Sequence, residues 1–374
     1  MNNSNSVLKI TGIVNKGVSA AIIEALASNG IVDGHLAVGR ADMLFEKKGL
    51  FGAGERSLIT EDPIDILSFL VTPECENSAL NIIIKKGGLD IPGRGMVYSE
   101  KVTLLKSHEL ISENKTKECA QQTEFPLLTD LMGVCCIVQR GQGNTVARVA
   151  LDTGTCVPAI TFGDGTGVRD KLGLLRITIP AEKDVVNFVA GSHDMDTIMD
   201  LMIDAGKLDQ PGKGFIYVYP IEKGLVNTKI TLGMPKHAAS IEQIISIIDE
   251  IKGGTSWRRR SGTGVGDAKS HRAFLTNLME FSLICNEGRG MDLVKAAMAA
   301  GAAGATISMQ KHFCPEDSPL AKISVAREVC NMIVGESQIP AIMEAIGNAG
   351  AFDDKSFGMV LTRPAPKACT YLGK

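Results

Sequence analysis

One pattern of short strands, helices and a glycine-rich turn occurs three times along this chain of 374 residues, each copy about 80 residues long. The register mark is a strand and helix running from Asp65 to Gly87, from Asp184 to Gly206 and from Glu328 to Gly350, with identical spacing each time. Each copy opens on an apolar strand: Leu8 to Val14, Leu131 to Val138, and Leu278 to Ile284. A polar residue, a charged residue and a glycine follow. Then comes a helix with apolar residues at helical spacing, such as Ile22, Ile23 and Leu26, or Leu293, Val294, Ala297 and Met298. Gly30, Gly154 and Gly301 end these helices, because glycine takes the left-handed cap conformation without steric cost. A second strand, a segment of variable length, the register-mark strand and a second helix complete the copy. That helix is striped by Ile339, Ile342, Met343 and Ile346 in the third copy and by Met195, Ile198, Met202 and Ala205 in the second. A last strand closes each copy, giving the order βαββαβ three times.

Two helices on a four-stranded antiparallel sheet predict an α+β, ferredoxin-like unit with both helices on one face. The other face carries apolar alternates (Val185 and Val189, Cys330 and Met332) and needs a cover. The three copies supply one for each other, so the expectation is three sheets packed about a common centre, an intramolecular pseudo-trimer. The expected divisions are 7–102, 127–225 and a degenerate third repeat at 273–366. Polar linkers fall at 103–126 and 226–272. The second linker holds an amphipathic stripe, Ile241, Ile244, Ile245 and Ile248, and then a glycine-rich basic tail around Trp257 to Arg260.

Composition narrows the function classes. A net charge of −3 disfavours a nucleic-acid partner recruited by overall basicity, and 44% apolar residues suffice for real cores. The opening Met-Asn-Asn-Ser-Asn-Ser lacks the apolar stretch of a signal peptide, and no apolar run approaches a membrane span. A cytoplasmic protein without membrane insertion is expected. Nine cysteines without Cys-x-x-Cys spacing read as buried thiols in apolar strands (Cys135, Cys136, Cys156, Cys330) rather than as a zinc site. His35, His193 and His312 fall at different repeat positions, so no copy assembles a nucleophile, base and orienting group, and no catalysis or metal is expected. Two glycine-rich stretches, Gly163 to Gly167 and Gly262 to Ser270, depart from the dinucleotide and P-loop patterns.

The most specific chemical feature is the turn after the second helix. It reads Gly88-Leu-Asp-Ile-Pro-Gly-Arg-Gly95 in copy one and Lys207-Leu-Asp-Gln-Pro-Gly-Lys-Gly214 in copy two. Glycines around one basic residue leave backbone N–H groups open to an anion such as phosphate, while Arg94 or Lys213 adds charge. A plain Pro-Gly turn before a strand has the same letters. Copy three has lost the proline, the first glycine and the base, and Phe357 stands where the charge was.

These features resemble the nitrogen-regulatory PII signalling family, most plainly from Met132 to Gly224, also from Ile10 to Val102, and less from Phe281 to Arg363. The resemblance implies a trimer made covalent, with adenine nucleotides (ATP, ADP or AMP) as effectors in clefts between repeats. It also implies a flexible loop that signals to a target enzyme or transporter. Carried onto this chain, the phosphate-binding residues are Gly93, Arg94 and Gly95, and Gly212, Lys213 and Gly214. The loop base falls on Gly39, Arg40 and Gly163, and Lys223 is the nearest basic group after a last strand. The loop counterparts are 39–62, 163–173 and 310–319, so the protein target would meet the chain through 39–62. Ala41 and Gly165 stand where family members use a glutamine for magnesium and 2-oxoglutarate. Divergence of the copies implies at most two nucleotide clefts and one dominant output loop on a self-contained monomer. A structural module without ligand, or an enzyme on the same frame, are the alternatives.

Overall fold

A computed structural model of the chain describes residues 5–47, 56–111, 114–117, 120–167, 181–227, 231–232 and 272–372. The stripe at 241–248, the basic tail at 257–260, the stretch 262–270 and the loop tips 48–55 and 168–173 lie outside the described residues. The first set of elements is β1 (Asn5–Asn15), α1 (Ser19–Ser28), β2 (Gly34–Lys47), β3 (Arg56–Val71), α2 (Glu76–Gly87) and β4 (Gly95–Ser107). The second is β5 (Leu131–Gln139), α3 (Gly143–Asp152), β6 (Ala159–Gly167), β7 (Glu182–Gly191), α4 (Met195–Gly206) and β8 (Gly214–Ile221). Two short strands follow, β9 (Lys223–Leu225) and β10 (Thr231–Leu232). The third set is β11 (Leu275–Asn286), α5 (Gly290–Ala299), β12 (Gly304–Phe313), β13 (Ala326–Gly335), α6 (Ile339–Asn348) and β14 (Met359–Thr370).

Within each set the strands lie in the same antiparallel order: β2-β3-β1-β4, β6-β7-β5-β8 and β12-β13-β11-β14. The expectation of three separate sheets is corrected, because all 14 described strands join one sheet. Each last strand runs on, directly or through a short successor, to pair with another set. Thr103 to Ser107 of β4 pair with the start of β14, Lys367 to Thr370 of β14 pair with β8, and β9 pairs with β4. The second strands close a cycle of their own, through β2 with β6, β6 with β12 and β12 with β2. The boundary expected at residue 102 therefore falls inside a strand, and so does the one at 366. The expected 103–126 linker is a strap: Asn114 donates to Leu70 and Asp33 carbonyls at 2.9 and 2.8 Å and accepts from Val32 and Asp33 N–H groups.

Alternation along β1 shows how a strand serves two sides. Leu8, Ile10 and Val14 join Ile22 and Leu26 of α1 and Ile83 and Ile84 of α2 in one core. Each such fully buried aliphatic side chain contributes about 1.5–3 kcal/mol. Lys9, Thr11 and Ile13 face the centre, where strands of all three sets meet. Val185 lines that centre too, whereas Cys330 and Met332 lie in the core with the residues of α5 and α6, opposite to expectation. Ala205 is exposed, and Met199 and Ile203 complete the buried face of α4 instead. Cys156 lies buried in the loop before β6 rather than in a strand.

Two columns of the repeat meet at the centre with different chemistry in each copy. Five residues past the glycine opening each last strand stand Glu100, Tyr219 and Arg363. Opposite them on the first strands stand Lys9, Gly133 and Glu280. The Arg363 guanidinium donates through Nε and Nη2 to Glu280 at 2.9 and 2.6 Å, and its Nη1 lies 2.6 Å from Glu100. It stacks over the Tyr219 ring, 3.5 Å from the centroid, and that ring fills the space Gly133 leaves open. Burial raises the Glu280 pKa, but the Arg363 and Lys9 charges with hydrogen bonds from Arg363 and Tyr217 outweigh it, leaving the carboxyl below its ordinary range.

The register-mark acids have a role that spacing alone did not reveal. Asp184 accepts from the Gly141 and Gly143 N–H groups at 2.8 and 3.0 Å, Glu328 from Gly290 at 2.5 Å, and Asp65 from the Ser19 hydroxyl. Each carboxylate sits at the start of the set's first helix, where unpaired N–H groups and the helix dipole favour negative charge.

Candidate functional site

The two Gly-basic-Gly turns each lie at a seam between sets. At Gly93, Gly95, Gly212 and Gly214 φ is +96°, +140°, +71° and +157°, so the turns use the freedom that glycine supplies. In the first seam the Gly93 N–H donates to Asn227 Oδ1 at 3.0 Å, across from the second set. Ala41 and Met43 of β2 and Val157 to Ala159 line the same crevice, which holds only about 20 Å³. Arg94 is exposed and folds back toward Gly88, whose Cβ, if present, would lie 2.7 Å from its Nη1. In the second seam Gln139 donates to the Gly212 carbonyl at 3.1 Å and Thr370 to the Gly214 carbonyl at 2.9 Å, while Lys213 is exposed.

Lys223 is not free for a ligand: its ammonium meets Glu76 at 2.8 Å and Asn77 at 2.6 Å, at the start of α2. Lys367, nine residues past Gly358 as Lys223 is past Gly214, meets Asp196 at the start of α4 at 2.7 Å. The equivalent residue in the first set is Leu104, which packs with Phe357, Met359 and Leu361 in an apolar third seam. There the turn is filled by the chain's own groups. Arg327 donates to the Phe357 carbonyl at 2.7 Å, and Arg289 donates to Ser356 Oγ and the Ala349 carbonyl, both at 3.1 Å. His108 covers Phe357, with ring centroids 4.4 Å apart. Two seams are thus alike, each with a lysine clamp and a Gly-basic-Gly turn, and the third has neither.

The expected loop base proves to be strand. Gly39 pairs with Ile64 within the β2–β3 arm, which remains paired out to Lys47 and Arg56. A Cβ on Gly39 would lie 2.7 Å from the Ile160 carbonyl, and one on Gly163 would lie 2.8 Å from Ser308 Oγ. Both glycines therefore serve the close crossing of second strands from neighbouring sets. Arg40 donates to Asn144 at 2.6 Å, lies 3.5 and 3.4 Å from Asp42 and Glu61, and stands 5.5 Å from the Phe162 ring centroid. Asp42, which sequence reasoning passed over, is fully buried at this arm base. Burial raises its pKa to about 6, although the Arg40 charge pulls the other way.

The structure brings together the turn at Gly93 and Gly95, the arm base at Ala41 and Met43, and the tail of the second set. Gly39 and Arg40 flank that crevice along the strand, and Lys223 is held apart in its clamp. Among the described residues no group of three or more histidine, cysteine or acidic side chains is arranged to hold a metal, and no helix is long and apolar enough to cross a membrane. His193 and Ser192 both bond Asp130 rather than each other, so that trio is not ordered as nucleophile and base. A cavity of about 170 Å³ lies at the centre and not at a seam. No protein-family model and no curated protein matches the chain.

Proposed function

We propose that this chain is a non-catalytic regulatory protein of PII-like design. In this reading each set is a ferredoxin-like unit and the three form a pseudo-trimer; the shared strand order and the cyclic pairing support it. A small anion, an adenine nucleotide first among the candidates, is taken at the first and second seams. The arm spanning 39–62 transmits its presence to a protein target. The observation that carries the reading is the coincidence of Gly-basic-Gly turn and lysine clamp at two seams and the loss of both at the third. The Gly93 N–H, satisfied by Asn227, is the group a phosphate oxygen would claim in its place.

Calorimetric titration of the full chain with ATP, ADP and AMP tests this. At most two sites are expected, one lost in Arg94→Ala and the other in Lys213→Ala. Three equal sites, or no heat with any of the three nucleotides, would overturn it. One observation favours a second reading, a structural module without ligand. The first seam leaves about 20 Å³, room for about one water molecule. Under that reading Asn227→Ala destabilises the fold and uncovers no nucleotide affinity.

A further inference from the structure

The central cavity is graded from one end to the other. Strand register places Lys9, Glu100, Glu280 and Arg363 at one end, and Thr11, Ser68, Asn187 and Asn331 in the next rows. Ile66, Val185 and Val329 come after these, and Ala37, Thr161 and Ser308, their partners on the second strands, also line the cavity. At about 170 Å³ it is large enough for one organic molecule of about benzene size, well below the size of a nucleotide site.

The ionic end is electrically balanced but unevenly bonded. Arg363 commits Nε and Nη2 to Glu280 at 2.9 and 2.6 Å, while its Nη1, 2.6 Å from Glu100, makes no well-aligned hydrogen bond. Lys9 reaches Glu100 only at 3.5 Å, long for a charge-assisted bond, and an ammonium has three donors. The Thr11 hydroxyl, 4% exposed and beside that of Tyr98, finds no well-aligned hydrogen bond, and the Gln310 amide oxygen on the same wall has no donor. The cavity thus offers a lysine with donors to spare beside the Arg363 Nη1, a neighbouring hydroxyl, and an apolar wall beyond them.

We infer that the central cavity binds a small monocarboxylate with a short apolar chain, its carboxylate on Lys9 and the Thr11 hydroxyl and its chain against Ile66, Val185 and Val329. Three identical copies would place like charges together here. Divergence of the copies leaves a single lysine with donors to spare beside Glu280, which Arg363 satisfies, and Glu100, which the two cations share. The site is separate from the seams and stands whether or not they take a nucleotide.

Butyrate added to the full chain tests this, with butylamine and butyramide as probes of the same shape. Butyrate is expected to raise the melting temperature saturably at millimolar concentration, because a ligand selective for the folded state stabilises it. The amine and the amide are expected to have no such effect. Lys9→Met should weaken butyrate at least about tenfold. Ala37→Leu, at a half-buried side chain paired with Ile66 on the cavity wall, should also weaken binding by crowding the apolar end. No saturable effect of butyrate, an equal effect of the amide or amine, or unchanged affinity in Ala37→Leu and in folded Lys9→Met would each overturn the assignment.

Discussion

Replacing Arg363 with methionine isolates the charge at the centre, because methionine keeps most of the buried stem while removing the guanidinium. Glu100 and Glu280 are 1% and 5% exposed at the side chain, and each lies 2.6 Å from Arg363. After the change Glu100 keeps only Lys9 at 3.5 Å, and Glu280 keeps the Ser282 hydroxyl at 3.2 Å and Tyr217. Removing one partner of a buried pair costs about 3–5 kcal/mol, since the remaining charge stays desolvated. The variant should lose about that much at pH 7.5, read by urea unfolding with far-UV circular dichroism. The sign of its pH response is diagnostic. In the native chain Glu280 is held below its ordinary range, so it contributes stability above that range and loses it as pH falls through the lowered value. Without Arg363, burial is opposed by the Lys9 charge and the Tyr217 hydrogen bond but no longer by the guanidinium. The folded state then binds the proton more tightly, and acidification from pH 7.5 to 5.5 should narrow the gap to the native chain. Adding Glu280→Gln to the variant should recover part of the loss, as coupled neighbours do. A loss under about 0.5 kcal/mol at pH 7.5, the size of an ordinary surface change, would refute the reasoning. A gap that widens on acidification would refute it equally.

Three further outcomes follow from the structure. Burial, with help from the Arg327, His312 and Lys9 charges and against Asp33, lowers the His35 pKa from 6.5 to about 3. Stability should therefore decline as pH falls from 6.5 toward 3, by up to about 1.4 kcal/mol per pH unit, and His35→Phe should flatten that decline in urea midpoints. Asp42 is raised from 3.8 to about 6, so its contribution falls as pH rises through that window. Asp42→Asn should stabilise the protein by up to about 3 kcal/mol at pH 7.5 and by little at pH 4. Gly133→Ala should cost about 1–3 kcal/mol, because the Tyr219 ring occupies the space of the new methyl, whereas Gly17→Ala, with nothing within 4 Å, should change stability little.

The triplicate pattern, the helix stripes and the capping glycines were legible because they are local: periodicity and left-handed caps need no distant partner. Gly30, Gly154 and Gly301 do take positive φ, at +97°, +69° and +111°. What stayed hidden depends on pairing between copies. Thr103 to Ser107 read as the start of a linker, yet they extend β4 into pairing with β14. Lys9, Glu100, Glu280 and Arg363 drew no reading as a cluster, because their partners lie far away in sequence. A usable signal existed: Lys9 sits on the inward alternation of an apolar strand, and Glu100, Tyr219 and Arg363 share one repeat column. Asp42 carried no such signal, since its burial comes from the second set packing over the arm base. The site was partly legible. The turns were found from their glycines, but Gly39 and Gly163 were read as loop base when their smallness serves strand crossings.

Inequality among the three seams is the claim on which the functional reading rests, and amide hydrogen exchange of the full chain with and without saturating ATP tests it most directly. Protection is expected to rise at Gly93 to Gly95 and at Gly212 to Gly214, and to stay unchanged at Phe357 and Gly358. Equal protection at all three turns, or no change at any of them, would contradict the account.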